Sequence, residues 1–135
     1  MKYWKRVAIA SSLAFSFAAP SVFAGECYHN VAVVNMSGRP TISVGRSINP
    51  PGPMSDQLYL QPKTAGALTV ITQAPGAVTE LRASRALSPG MVIEPSCAST
   101  FQPSGCPAPG SSTLSAIVTV ENDMAGGLTC TGVAF

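Results

Sequence analysis

Four cysteines carry most of the reactive chemistry in this 135-residue chain. Cys97 and Cys106 enclose the stretch CASTFQPSGC, and Cys27 and Cys130 lie far to either side of it. Zinc sites usually draw their ligands from closely spaced Cys or His pairs, whereas these gaps are long and the chain has one histidine. An even number of cysteines in an exported chain indicates that all of them are paired. We therefore expect two disulfides, no metal site and no reactive thiol.

Chain entropy alone does not select the pairing of these cysteines. Pairing Cys97 with Cys106 and Cys27 with Cys130 should contribute about 7 to 7.5 kcal/mol by loop closure, against about 8 to 8.5 kcal/mol for either crossed alternative. This difference is smaller than the strain that a disulfide can carry. A turn at residues 103–105 (PSG) could return Cys106 to Cys97, so proximity in sequence favours the local pair. The second bridge would then join the first strand to the last.

His29 is the only histidine and the only candidate for a catalytic base of that type. A catalytic role would require a nucleophile and an orienting acid beside it. No nucleophile elbow, zinc-protease helix, P-loop, dinucleotide fingerprint or EF-hand loop is present in the sequence. We expect His29 to be a half-exposed strand residue, and the sequence implies no enzyme and no cofactor. The alternative is a small secreted hydrolase that uses His29.

The first 24 residues have the pattern of a bacterial secretory signal peptide. Basic residues come first, an apolar run follows from Val7 to Ala19, and the segment ends in Val22-Phe23-Ala24. Cleavage after Ala24 would leave a single domain at residues 25–135, in the periplasm or outside the cell.

Cleavage would also change the charge of the chain. Of eight basic residues, three lie in the first 24, so five remain against six acids and the net charge falls to about −1. No basic patch with interleaved aromatics remains, which argues against a nucleic-acid partner. No later run is long and apolar enough to span a membrane.

The rest of the chain has the pattern of an all-β domain. Short runs rich in Val, Ile, Leu and Thr are separated by Gly, Pro, Asn and Ser, which is typical of an antiparallel sandwich. The predicted strands are residues 31–34, 41–45, 57–61, 67–72, 91–94, 113–120 and 127–135. In the sixth of these, alternation places Leu114, Ala116, Val118 and Val120 on the core side.

Three further segments are less regular. Gly76 to Leu87 has a composition that favours one short helix and an alternation that favours a strand, and the two remain open. Asn35-Met36-Ser37 matches a glycosylation sequon, but we interpret it as part of a turn. Glu121 and Asp123 could bind calcium, but such a pair more often solvates a hairpin turn.

These features favour a non-enzymatic binding or structural module: a component of a surface appendage or secretion machine, or an inhibitor-like interaction protein. Loops stiffened by proline lose little entropy on binding. We therefore expect a protein partner to contact Met54 in the NPPGPM loop and Phe101 in the FQPSG loop. The alternative is that both side chains fold back onto the sandwich.

Overall fold

A computed structural model describes residues 25–135, and the predicted signal peptide lies outside the described residues. The described part of the chain forms eight β-strands and contains no helix. The strands are β1 (Cys27–Asn35), β2 (Thr41–Asn49), β3 (Leu58–Leu60), β4 (Thr64–Thr72), β5 (Val78–Ser88), β6 (Met91–Phe101), β7 (Leu114–Asn122) and β8 (Leu128–Ala134). This architecture confirms the predicted small, disulfide-braced β-sandwich.

The strands make two sheets of four. One sheet has the order β4-β1-β7-β8 and the other β3-β2-β5-β6. All neighbouring strands run antiparallel except β1 and β7, which are parallel. A parallel pair needs a long connection, because the chain must return to the same end of the sheet. Here the chain between β1 and β7 forms all four strands of the second sheet, so it crosses between the two sheets several times.

The core lies between the sheets and is built from alternating residues. In β1, Cys27, His29, Val31, Val33 and Asn35 all face inward and are buried. The buried hydrophobic cluster consists of aliphatic side chains from both sheets and one aromatic ring: Val31, Val33, Leu60, Leu68, Val70, Leu81, Ala83, Phe101, Ala116, Val118, Val120 and Leu128. Burial of this apolar surface is the main favourable contribution to folding.

The alternation predicted for β7 is confirmed along most of the strand and fails at its first residue. Ala116, Val118 and Val120 are fully buried, but Leu114 is 39% exposed. The register with β1 shifts between Asn30 and Val31, where one extra β7 residue is accommodated. Such a bulge changes which side chains face inward. As a result Ser115, rather than Leu114, enters the core.

The segment that the sequence left open between helix and strand is a strand. Residues 78–88 form β5, which lies in the middle of its sheet and pairs with β2 on one side and β6 on the other. The Ala, Glu, Leu and Arg residues there favour helix in isolation. Ladder hydrogen bonds on both sides and the burial of Leu81 and Ala83 outweigh that preference.

Strand β6 is much longer than predicted. It runs to Phe101 instead of ending at Glu94, although Pro95 lies within it. Glu94 and Pro95 have no partner in the β5 ladder, which continues from Ser96 opposite Ser84. A proline is compatible with an edge strand at such an irregularity. The stretch CASTF is therefore strand, which affects both the disulfides and Phe101.

Candidate functional site

The loop between β2 and β3 is held firmly against β2. The Gly52 N–H donates to the Ser47 carbonyl at 2.9 Å, and the Ser55 N–H donates to the Gly45 carbonyl at 2.8 Å. The Ser55 hydroxyl in turn accepts from the Gly45 N–H at 2.8 Å. Since β3 pairs only with residues 41–43 of β2, this loop occupies the edge position beside the rest of that strand. The loop thus has a fixed backbone despite lying outside the sheets.

Met54 lies at the exposed part of this loop, with 58% of its surface accessible. It lines two shallow cavities. One, of about 120 Å³, includes Arg46 and Arg82 on the outer face of the second sheet. The other, of about 230 Å³, includes Tyr28 and Ile71 on the first sheet. We call these five residues the Met54 surface: Tyr28, Arg46, Met54, Ile71 and Arg82.

Charges surround the apolar part of the Met54 surface. Arg46 lies directly opposite Glu80 in the β2–β5 ladder, and the Arg82 guanidinium lies 3.6 Å from the same carboxylate. The Arg82 side chain is 52% exposed, so this ion pair contributes little to stability. The Tyr28 hydroxyl donates to Glu26 at 3.0 Å, and this hydrogen bond raises the pKa of Tyr28. The arrangement is an exposed thioether with a partly charged rim.

Phe101, the second predicted contact residue, is not available to a partner. It is the last residue of β6, is 8% exposed and belongs to the core cluster. The prediction of an exposed anchor was wrong because β6 extends through the residues that we assigned to a loop. The prediction that its side chain folds back onto the sandwich is the one that the structure confirms. Met54 and Phe101 therefore do not form one surface.

The four cysteines are paired as expected in number but not in connectivity. Cys27 bonds Cys106, and Cys97 bonds Cys130. The predicted Cys97–Cys106 pair was wrong because Cys97 lies within β6. Four extended residues carry the chain about 13 Å from Cys97 before the turn at residues 103–105 begins.

Each bridge joins segments that are distant in sequence. Cys97 of edge strand β6 bonds Cys130 of edge strand β8, which connects the two sheets. Cys106 attaches the β6–β7 loop to the first residue of β1. Both bridges are structural, and no cysteine of residues 25–135 is free.

His29 is buried rather than half-exposed. Only 1% of its surface is accessible, because it faces the space between the sheets as the second of five inward residues on β1. Its Nδ1 lies 2.9 Å from the Ser115 hydroxyl oxygen, and this Ser is brought inward by the β7 bulge. Burial lowers the pKa of His29. The side chain is therefore a neutral, hydrogen-bonded core residue near neutral pH.

The His29–Ser115 pair approaches the surface on one side. Ser115 is 5% exposed and lines a cavity of about 370 Å³ beside Cys106 and Phe135. This pairing was not visible in the sequence, since 86 residues separate its two members. A bulge and a parallel strand pair together create it, and neither has a clear sequence signal.

Asn35 of the sequon is the last residue of β1, and the turn predicted there follows it as a bend at residues 37–39. Its side chain is fully buried and donates to the carbonyls of Arg39, Leu60 and Gln61 at 2.9, 3.2 and 3.2 Å. Its Oδ1 accepts from the Ser37 N–H and hydroxyl at 3.0 and 2.6 Å. Every polar atom of the amide is thus used within the protein.

Asp123, one of the two acids near the β7–β8 turn, makes local contacts. Asp123 Oδ1 accepts from the N–H groups of Ala125 and Gly127 at 2.9 and 2.6 Å, which closes the turn. Among residues 25–135, no three His, Cys, Asp or Glu side chains are grouped closely enough to hold a metal ion. The same part of the chain has no helix that could cross a membrane.

Comparison of the chain with known protein families, with curated proteins and with solved structures finds no match.

Proposed function

We propose that this protein is an exported, non-enzymatic binding or structural module that contacts a protein partner through the Met54 surface. A component of a surface appendage or secretion machine and an inhibitor-like interaction protein both fit this description. The observation that carries the proposal is the exposure of Met54 on a loop whose backbone is hydrogen-bonded to β2.

The fixed loop favours binding for an entropic reason. Ordering a flexible loop on association costs free energy, and a loop that is already held by hydrogen bonds avoids most of that cost. Methionine adapts to irregular apolar pockets because its side chain is unbranched and polarizable. The arginines at the rim would then orient the partner rather than supply most of the affinity, since exposed charge pairs contribute little.

Export to the periplasm or beyond is part of the same proposal. Two disulfides support it, because such bonds persist in oxidising compartments. The pattern of residues 1–24 supports it independently.

Affinity capture from the periplasm and culture medium of the source organism tests the proposal. The wild-type protein and Met54→Ser would be used as baits in parallel, with Met124→Ser as the matched control. Met124 is a methionine with an even more exposed side chain, but it lies in the β7–β8 turn, at the opposite end of the sandwich. We expect one protein to be retained by the wild type and by Met124→Ser and lost with Met54→Ser. Equal recovery with all three baits would contradict the proposed surface.

The His29–Ser115 pair favours a second candidate function, hydrolysis by a serine nucleophile. The 2.9 Å separation is within hydrogen-bond reach, and the cavity beside Ser115 offers an approach for a substrate. A fluorophosphonate probe distinguishes this candidate from the first. Labelling of the wild type that is lost in both Ser115→Ala and His29→Asn would favour the hydrolase, whereas a binding module should remain unlabelled.

A further inference from the structure

Strand β8 is an open edge of the first sheet. It spans seven residues, contains no proline and no charged residue, and pairs only with β7. Edge strands present unpaired N–H and C=O groups, and proteins usually protect them by shortening, charging, interrupting or covering them.

The outward-facing backbone groups of β8 can be identified from the ladder. The Phe135 N–H donates to the Ser115 carbonyl on β7, and the Val120 carbonyl opposite Cys130 is turned away toward Met36. In an antiparallel pair, successive residues of a strand alternate between bonding the neighbouring strand and turning their N–H and C=O groups away from it. The N–H and C=O groups of Leu128, Cys130, Gly132 and Ala134 therefore point away from β7. Within residues 25–135, no other strand pairs with them.

The other three sheet edges are protected in recognisable ways. Strand β3 has three residues. Strand β6 is interrupted at Glu94 and Pro95. Strand β4 is flanked by the β2–β3 loop, where Gly52 passes so close that a Cβ atom would lie 3.0 Å from the Ile71 carbonyl oxygen. On its inner face β8 is contacted by β6, where Cys97 bonds Cys130 and a Cβ atom on Gly132 would lie 2.5 Å from the Ser99 hydroxyl oxygen. At its outer edge, however, β8 combines length with a regular run of backbone groups that no other strand of the described chain pairs with.

We propose that β8 pairs with β8 of a second copy of this chain. In an antiparallel arrangement around a two-fold axis at Thr131, Leu128 pairs with Ala134 of the second copy and Cys130 with Gly132. The outward N–H and C=O groups then bond one another in matched pairs, and the two sheets join into one of eight strands.

The side chains suit this arrangement. Thr129, Thr131 and Val133 are exposed and lie on the outer face of β8. Across the two-fold axis, Thr131 faces its own copy and Thr129 faces Val133, which are pairs that favour sheet formation. Because β8 has no charge, no like charges are brought together, and this favours a second copy as the occupant.

The position of Thr131 at the axis gives a specific test. Its N–H and C=O point toward β7, so Thr131 and its copy would form the closely spaced, non-hydrogen-bonded type of pair. Thr131→Lys and Thr131→Asp should each place like charges opposite each other and weaken dimerisation by about fivefold or more. An equimolar mixture of the two variants should recover dimerisation, because opposite charges then meet. Thr69→Lys, an exposed Thr on edge strand β4, is the matched control.

Sedimentation equilibrium of the oxidised protein, from about 10 µM to 1 mM, measures these effects over the range expected for an interface formed mainly by one strand. We expect wild type and Thr69→Lys to approach twice the monomer mass as concentration rises. Wild-type protein that stays monomeric throughout, or Thr131→Lys that dimerises like wild type, would overturn the proposal. A mixture no tighter than its components would also overturn it.

Hydrogen exchange followed by NMR provides a second readout that does not depend on the variants. The amides of Thr129, Thr131 and Val133 should be protected at every concentration, because they face β7. The amides of Leu128, Cys130, Gly132 and Ala134 should gain protection only as dimer forms. Equal exchange of these four amides at low and high protein concentration would contradict pairing through β8.

Discussion

Cys106 is bonded to Cys27, so the loop that precedes β7 is attached to the first residue of β1. The cavity beside Ser115 and the buried His29 lie at this same end of the sandwich. The bridge therefore fixes the segment that covers the His29 end of the core.

Peptide mapping under non-reducing conditions should recover Cys27 linked to Cys106 and Cys97 linked to Cys130. Chymotrypsin can cut after Phe101, which separates Cys97 from Cys106, and a glutamate-specific protease can cut after Glu121, which separates Cys106 from Cys130. Trypsin does not suit this purpose, because no Lys or Arg follows Arg85. A linked peptide that contains Cys97 and Cys106 would contradict the structure.

Removing either disulfide should cost a similar free energy of unfolding. The bridges span sequence separations of 79 and 33 residues, for which loop-closure entropy gives about 4.5 and 3.8 kcal/mol. Urea unfolding of the paired Cys→Ser variants measures both values. Because a typical domain has only about 5 to 15 kcal/mol of stability, either variant could be largely unfolded at 37 °C. A difference of more than about 2 kcal/mol between the two variants would contradict the loop-closure explanation of how the two disulfides stabilise the protein.

Asn35→Ala should destabilise the protein by about 2 to 3 kcal/mol or more. The substitution leaves the Leu60 carbonyl without its buried amide donor and removes the acceptor of the Ser37 hydroxyl. Asn122→Ala is the control, since Asn122 is exposed and should cost no more than about 0.5 kcal/mol. Chemical denaturation of both variants gives the comparison. Similar stabilities would show that the Asn35 hydrogen bonds do not support the turn.

The stability of the wild type should fall as the pH is lowered from about 7 toward 5. Burial holds the pKa of His29 in the folded protein below its ordinary value, so the unfolded chain binds a proton first. Protonation therefore favours unfolding below the unfolded-state pKa of about 6.5. In His29→Asn this part of the pH dependence should disappear, while the titration of carboxylates remains. Parallel stability curves for the two proteins over this range would contradict a neutral, buried His29.

The regular alternation of apolar residues predicted much of this fold, and its failures have local causes. The alternation predicted for β7 is confirmed from Ala116 onward, because only one face of that strand packs against the opposite sheet. Pro95 misled the assignment of β6, because an edge strand can accommodate a proline that a central strand cannot. That one error also produced the wrong disulfide pairing and the wrong exposure of Phe101.

The site was only partly predictable for a related reason. The prolines around Met54 identified a rigid loop, but its hydrogen bonds to Gly45 and Ser47 and its neighbours Tyr28 and Ile71 depend on tertiary packing. The inward position of Ser115 depends on a bulge opposite β1. Contacts of this kind arise from register, which period-2 patterns do not specify between strands far apart in sequence.

Phe101→Ala and Met54→Ser should differ strongly in their effect on stability. Phe101 is part of the core, so its truncation should cost about 3 to 5 kcal/mol. Met54 is mostly exposed, and its substitution should change stability by no more than about 0.5 kcal/mol. Thermal unfolding of the two variants checks this contrast. A Met54→Ser variant as unstable as Phe101→Ala would place Met54 in the core.

The affinity of the captured partner for wild type, Met54→Ser and Met124→Ser tests the central claim most directly. Titration calorimetry should show Kd raised by about tenfold or more in Met54→Ser and unchanged in Met124→Ser, as expected for loss of an apolar anchor. Added salt should change the wild-type Kd little, because the apolar contact carries most of the affinity. A Kd for Met54→Ser equal to that of wild type, with the fold intact, would contradict binding through the Met54 surface.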